Sequence, residues 1–92
     1  MEWGVSLSHQ ASRYLKQHRI PEEEIIEVAR LAVRKVFGEK VAINLIALTG
    51  PWKGYYRARA RKVRIVFAID LDLQHIYIDT VDNRDRVYRK KR

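Results

Sequence analysis

Apolar residues recur along this chain with two different periods, and the change falls near residue 40. Before it the spacing is helical. Ala11, Tyr14, Leu15 and His18 fall at i, i+3, i+4 and i+7 behind Ser8, whose hydroxyl suits an N-cap. This predicts a first helix with His18 on its apolar face. Ile20-Pro21 interrupts it and places Pro21 at the first position of a second helix. There Ile25, Val28, Ala29, Ala32, Val33 and Val36 form an apolar stripe, and Gly38 is a natural stop. Glu22, Glu23 and Glu24 open that helix and Arg34 and Lys35 close it, the arrangement the helix dipole favours. The glutamates therefore read as a solvated first turn. Paired catalytic carboxylates would need a pocket that a helix start does not supply. Residues 2–7 alternate enough for a short strand ahead of both helices.

From Val41 the period becomes that of strands. Residues 41–48 are apolar and β-branched, residues 49–54 carry two glycines and a proline and read as a loop, and residues 55–60, 63–69 and 75–81 are three further strands. The expected fold class is α+β in the order β-α-α-β-β-β. Two N-terminal helices pack on one face of an antiparallel-rich sheet, because strands joined without helices pair antiparallel. Neither repeats nor linkers divide the chain, so residues 1–92 read as one domain with a basic tail at about 89–92.

A two-residue turn at Arg61-Lys62 fixes the register of the next hairpin. Ala60 then faces Val63, Arg59 faces Arg64, Ala58 faces Ile65, Arg57 faces Val66 and Tyr56 faces Phe67. Opposed residues share a face. One face therefore carries Tyr56, Ala58, Ala60, Val63, Ile65, Phe67 and Ile69, ready for the helices. The other carries Tyr55, Arg57, Arg59, Arg64 and Val66. If Ile69 faces Ile76, Ile76 and Ile78 join the core, while Tyr77, Asp79 and Val81 join the arginine face with Val81 opposite Arg64. Exposed arginines also serve solvation, or block edge-to-edge pairing of sheets. The opposed pair Arg59–Arg64 is a like-charge contact, however, and an anion held between the two would offset the repulsion.

Charge sharpens this reading. The net charge is +8 over 92 residues. Residues 1–51 hold seven basic and six acidic side chains, and residues 52–92 hold twelve and five, so the second half carries nearly all of the excess. Such one-sided loading fits a polyanionic partner: nucleic acid, the ribosome, an anionic membrane or an acidic protein. Cysteine is absent, which suits a reducing cytoplasm and excludes thiolate chemistry. No apolar run approaches the ~20 residues of a membrane span, and the N-terminus lacks the pattern of a signal peptide. His9, His18 and His75 are scattered without metal-ligand spacing, no glycine-rich phosphate loop is present, and Ser6, Ser8 and Ser12 lack a nucleophile-elbow setting. Neither metal nor cofactor is expected. Arginines and tyrosines remain, a set able to stabilise a pentacovalent phosphate by charge.

Three segments, in order, resemble the RelE/ParE toxin superfamily. They are Leu48-Thr49-Gly50-Pro51-Trp52-Lys53-Gly54-Tyr55-Tyr56-Arg57-Ala58-Arg59, then Val63-Arg64-Ile65-Val66-Phe67, then Asp82-Asn83-Arg84-Asp85-Arg86-Val87-Tyr88-Arg89. The N-terminal WGVSLSHQASRYL and the helical hairpin extend the likeness over nearly the whole chain. The resemblance implies the toxin of a type II toxin–antitoxin pair, a cytoplasmic protein neutralised by a cognate antitoxin. RelE-type members cleave mRNA in the ribosomal A site, without a metal, by attack of the 2′-OH on the adjacent phosphate. Carried over by position, Arg64, Arg84 and Tyr88 are the implied catalytic residues, and Lys53, Arg57, Arg59, Arg61 and Arg86 the implied RNA-binding ones. The chain has Asn83 where the family pattern has histidine, lacks a glycine in the hairpin turn, and offers no glutamate in the strand before Arg57. The general acid and base are therefore left unassigned. The same resemblance allows a ParE-like, non-enzymatic poison of DNA gyrase, or an inactive homologue that binds RNA or the ribosome.

Overall fold

The computed structural model describes residues 3–60 and 63–83, with the backbone alone at Ala60 and Asn83. The described residues form β1 (Gly4–Leu7), α1 (His9–Gln17), α2 (Glu22–Val36), β2 (Asn44–Ala47), a 3-10 turn at Gly50–Trp52, β3 (Tyr55–Ala60), β4 (Val63–Asp70) and β5 (His75–Asn83). The expected α+β class holds; a strand falls in each of the five segments that read as strands, so the order is β-α-α-β-β-β-β, where β-α-α-β-β-β leaves one of them uncounted. The sheet runs β1-β5-β4-β3-β2. Only the β1–β5 pairing is parallel among the described strands; the others are antiparallel.

Each helix is bounded by local chemistry. Ser8 caps α1, its hydroxyl accepting from the Ala11 N–H at 3.1 Å. The helix ends at Gln17, so His18 is its C-cap and is exposed, stacked on Tyr14 at 4.1 Å between ring centroids. The apolar position expected for it does not exist, because the helix stops one residue short. Arg19 follows in the left-handed region (φ 55°), the Arg19 N–H donates to the Lys16 carbonyl, and the Ile20 N–H donates to the Leu15 carbonyl. Helix α2 closes in the same way with Gly38 (φ 96°) in the left-handed position. Pro21 is the N-cap of α2 rather than its first residue, because its ψ of 137° is extended.

Strand β2 is shorter than the 41–48 expected. The Ile43 N–H turns back to the Val41 carbonyl at 2.9 Å and Lys35 Nζ donates to the Ile43 carbonyl at 2.6 Å, so residues 41–43 bond outside the ladder. Both helices pack on one face of the sheet. Ala11 and Leu15 of α1 and Ile25, Ala29, Ala32 and Val33 of α2 share one buried cluster with Ala58, Ile65, Phe67, Ile76, Ile78 and Val81. Burying each large aliphatic or aromatic side chain contributes about 1.5–3 kcal/mol, and these contacts fix one face of the sheet under the helices and leave the other face open. No helix among the described residues is long and apolar enough to cross a membrane.

Candidate RNA-binding face

The hairpin register is the one the sequence predicted: Ala60↔Val63, Arg59↔Arg64, Ala58↔Ile65, Arg57↔Val66 and Tyr56↔Phe67. Arg61 and Lys62, where the turn was expected, lie outside the described residues. Ile69 faces Ile76, as predicted, and the pairing continues through Phe67↔Ile78. There the ladder shifts. Val66 pairs with Thr80 and Ile65 with Val81, leaving Asp79 as an extra residue in a β-bulge.

This bulge overturns one expectation. Val81 does not face Arg64 on the open side; it pairs with Ile65 and is 0% exposed in the core. The residue opposite Arg64 is Asp82. A strict alternation from Ile78 puts Asp79 and Val81 on one face, and the extra residue reverses the phase of everything after it. The bulge sits where β1 ends and α1 begins. The Ser8 N–H donates to the Ile78 carbonyl at 2.9 Å, and the Ser8 hydroxyl donates to the Asp79 carbonyl at 2.6 Å. Beyond β1, the Gln10 side chain continues the pairing by bonding both the N–H and the carbonyl of Val81. The N-terminus of α1 thus holds the backbone that aims Asp82.

On the face turned away from the helices, residues line up in rows across the strands. One row reads Asn44, Arg59, Arg64, Asp82, and the next Ile46, Arg57, Val66, Thr80. A third reads Tyr55, Ala68, Tyr77, Ser6. Directly opposed Cα atoms lie about 4.5–5.5 Å apart, and successive rows about 6.8 Å apart along a strand. Three arginines therefore converge within two rows. All three are half-buried, and the Nε of Arg64 is buried without a hydrogen bond among the described residues. An inward-held guanidinium keeps its stem packed while its outer N–H groups can meet a phosphate.

Asp82 changes the electrostatic argument. Arg59 and Arg64 are opposed, as the sequence predicted, but the same row ends in a carboxylate. The repulsion between the arginines is thus partly offset within the protein, so the like-charge pair alone does not demand a bound anion. Asp82 was missed because the bulge was missed. The signal was present in the spacing Ile76, Ile78, Val81, where the apolar step lengthens from two to three.

Of the other expected site residues, Lys53 is exposed in the loop after the 3-10 turn, its N–H donating to the Gly50 carbonyl at 3.1 Å. Arg84, Arg86 and Tyr88 lie outside the described residues, as does Arg61. At the end of the open face away from the arginines, Ser6 Oγ and His75 Nε2 are 2.6 Å apart and His75 contacts Tyr77.

No protein-family model matches the chain, and no curated protein matches it. Solved structures do. The toxin–antitoxin complex RelBE2 from Mycobacterium tuberculosis contains a chain 24% identical to this one, with a TM-score of 0.60 over 91% of this chain and 100% of that one. The archaeal RelE–RelB complex from Pyrococcus horikoshii gives 21% identity and a TM-score of 0.65 over 94% and 99%. The YoeB–YefM complex from Staphylococcus aureus gives 18% and 0.58 over 89% and 97%. The chain therefore has the RelE-like toxin fold, and the likeness spans nearly its whole length.

Proposed function

We propose that this chain is the toxin of a type II toxin–antitoxin pair and cleaves mRNA in the ribosomal A site. The observation that carries the reading is the convergence of Arg57, Arg59 and Arg64 on the open face of a RelE-like fold. In the reaction, the 2′-OH of one nucleotide attacks the phosphorus 3′ to it. The P–O5′ bond breaks, and the products are a 2′,3′-cyclic phosphate and a 5′-OH end. Arg64 stabilises the negative charge that builds on the phosphoryl oxygens, while Arg57 and Arg59 hold the flanking backbone. Arg84 is assigned the same charge-stabilising role, and Tyr88 serves as proton carrier or stacking group. Lys53, Arg61 and Arg86 extend the electrostatic hold on RNA. The partners under this reading are mRNA, the ribosome and a cognate antitoxin, in a cytoplasmic setting.

Mapping of mRNA 3′ ends after induction tests the reaction. In-frame A-site cuts ending in 2′,3′-cyclic phosphate are expected from the wild type, with Arg64→Ala lowering cleavage on the order of 10²–10³-fold. If Arg64→Ala and Tyr88→Phe both retain A-site cleavage and growth arrest, the mechanism is wrong. Blocked replication with trapped DNA breaks would instead mark a gyrase poison.

Asp82 favours a second reading. A carboxylate in the Arg64 row competes with phosphate for that guanidinium, which suits a homologue that holds RNA without cutting it. Ribosome binding with intact mRNA is the outcome expected of it.

A further inference from the structure

The third row of the open face has a shape the arginine rows lack. Tyr55 and Tyr77 stand on β3 and β5, and the residue between them on β4 is Ala68. Strands are spaced about 4.8 Å apart, so the backbone positions of the two tyrosines are about 9.6 Å apart with one methyl group between them. A flat ring seated midway would lie about 4.8 Å from each wall, within the 4.5–7 Å centroid range of aromatic pairs. Both walls are reachable: Tyr77 is 42% exposed, and Tyr55 and Ala68 are partly so.

Each wall is also braced. Trp52 meets Tyr55 edge-on at 5.1 Å between centroids. His75 lies against Tyr77 at 4.7 Å and is held in turn by Ser6. Gly4 makes room for that imidazole, since a Cβ there would fall 2.6 Å from His75 Nδ1. Rings fixed before a ligand arrives lose little conformational freedom on binding it.

We propose that Tyr55, Ala68 and Tyr77 form a slot for one unpaired base of a single-stranded RNA whose phosphates run over the arginine rows. The inference rests on the reading of the open face as an RNA surface, and it adds a contact to the base itself. The charge beside the slot selects the occupant. Arg57 is one row away and the Arg59–Arg64 pair two rows away, about 7 and 14 Å along the strands, so an aromatic ring entering here brings its polyanionic backbone onto guanidinium groups. Aromatic platforms beside basic grooves hold single strands in this way, because every base offers a π-face.

The experiment is binding of the purified full chain to a fluorescent, uncleavable single-stranded RNA with 2′-O-methyl groups, away from ribosomes. Tyr77→Ala and Tyr55→Ala are each expected to weaken binding roughly 5–100-fold, whereas Tyr77→Phe retains it. Ala68→Phe, which fills the floor, should weaken it too. The slope of log K against log salt should stay unchanged in Tyr77→Ala and fall by about 1 in Arg57→Ala. An RNA duplex, whose bases are already stacked, should bind the wild type and Tyr77→Ala alike. The proposal is overturned if Tyr77→Ala binds like the wild type, if Tyr77→Phe fails like the alanine, or if the wild type does not hold the single strand at low salt. Failure of the cleavage reading is distinguishable, since cut mRNA is scored on ribosomes with the unmodified message. Tyrosine-dependent binding without A-site cuts would leave the slot standing and the nuclease assignment fallen.

Discussion

On β4, Ile65 and Phe67 are sealed beneath the helices at 1% and 0% exposure, while their neighbours Arg64 and Val66 point to the opposite side. The same eight-residue strand thus serves two surfaces under different rules. The helix side is limited by volume, and its central positions Ile65 and Phe67 are apolar and fully enclosed. The open side is limited by charge and by the spacing of rows, and it tolerates a half-buried guanidinium. What divides them is register. In β3 and β4 alternation alone decides which residue goes where. In β5 one extra residue, Asp79, decides it.

The sharpest way to break that comparison is to exchange chemistry across the bulge. Val81→Asp places a carboxylate at a fully buried position against Ile65, and an uncompensated buried charge costs about 3–5 kcal/mol. Asp82→Val, one residue on, faces away from the helices and should change stability by less than about 1 kcal/mol. Urea unfolding of both variants checks the pair. If Val81→Asp is tolerated and Asp82→Val unfolds the protein, the bulge is misplaced and strict alternation rules β5.

That contrast also marks how far the sequence could be read. The two helices, the hairpin register and the side of each arginine on β3 and β4 were legible, because each follows from periodicity that nothing interrupts. Val81 was misassigned because the three-residue apolar step from Ile78 was read as continued two-residue alternation. The force that places it, Ser8 and Gln10 bonding the edge of β5, joins residues about seventy positions apart in the chain. The shortening of β2 has a similar origin in Lys35, which reaches across from α2. His18 was misplaced by one residue of helix length. The open-face positions of Arg57, Arg59 and Arg64 follow from alternation, and that of Asp82 does not.

A second comparison sets the core against the chemistry. Phe67→Ala removes a ring at 0% exposure, stacked on Tyr56 at 5.7 Å between centroids, and should cost about 3–5 kcal/mol while leaving the open-face residues unchanged in identity. Arg64→Ala should do the reverse. Its stem is packed but its Nε makes no hydrogen bond among the described residues, so truncation should cost far less stability than Phe67→Ala while lowering mRNA cleavage sharply. Calorimetry and cleavage assays on the two variants should separate cleanly. A large loss of stability in Arg64→Ala would make that arginine a structural member of the row.

The smallest effect tests the row itself. Arg59 faces Arg64 on one side and Asn44 on the other, while Arg57 faces Val66 and Ile46. Removing Arg59 relieves a like-charge contact, so Arg59→Ala should stabilise the fold by a few tenths of a kcal/mol at low salt. The gain should vanish near 1 M salt, where charges are screened over about 3 Å. Arg57→Ala, with no opposed charge to relieve, should show no such salt-dependent gain. Both variants should nonetheless bind RNA more weakly, each with a salt slope lower by about 1. Stability and binding thus move in opposite directions only at Arg59. Asp82→Asn adds the converse: with the carboxylate neutralised, the Arg59–Arg64 repulsion is less offset, so the gain from Arg59→Ala should grow. Equal gains with and without the Asp82→Asn substitution would show that Asp82 does not moderate the arginine row, and would restore the case that the pair needs an anion from outside.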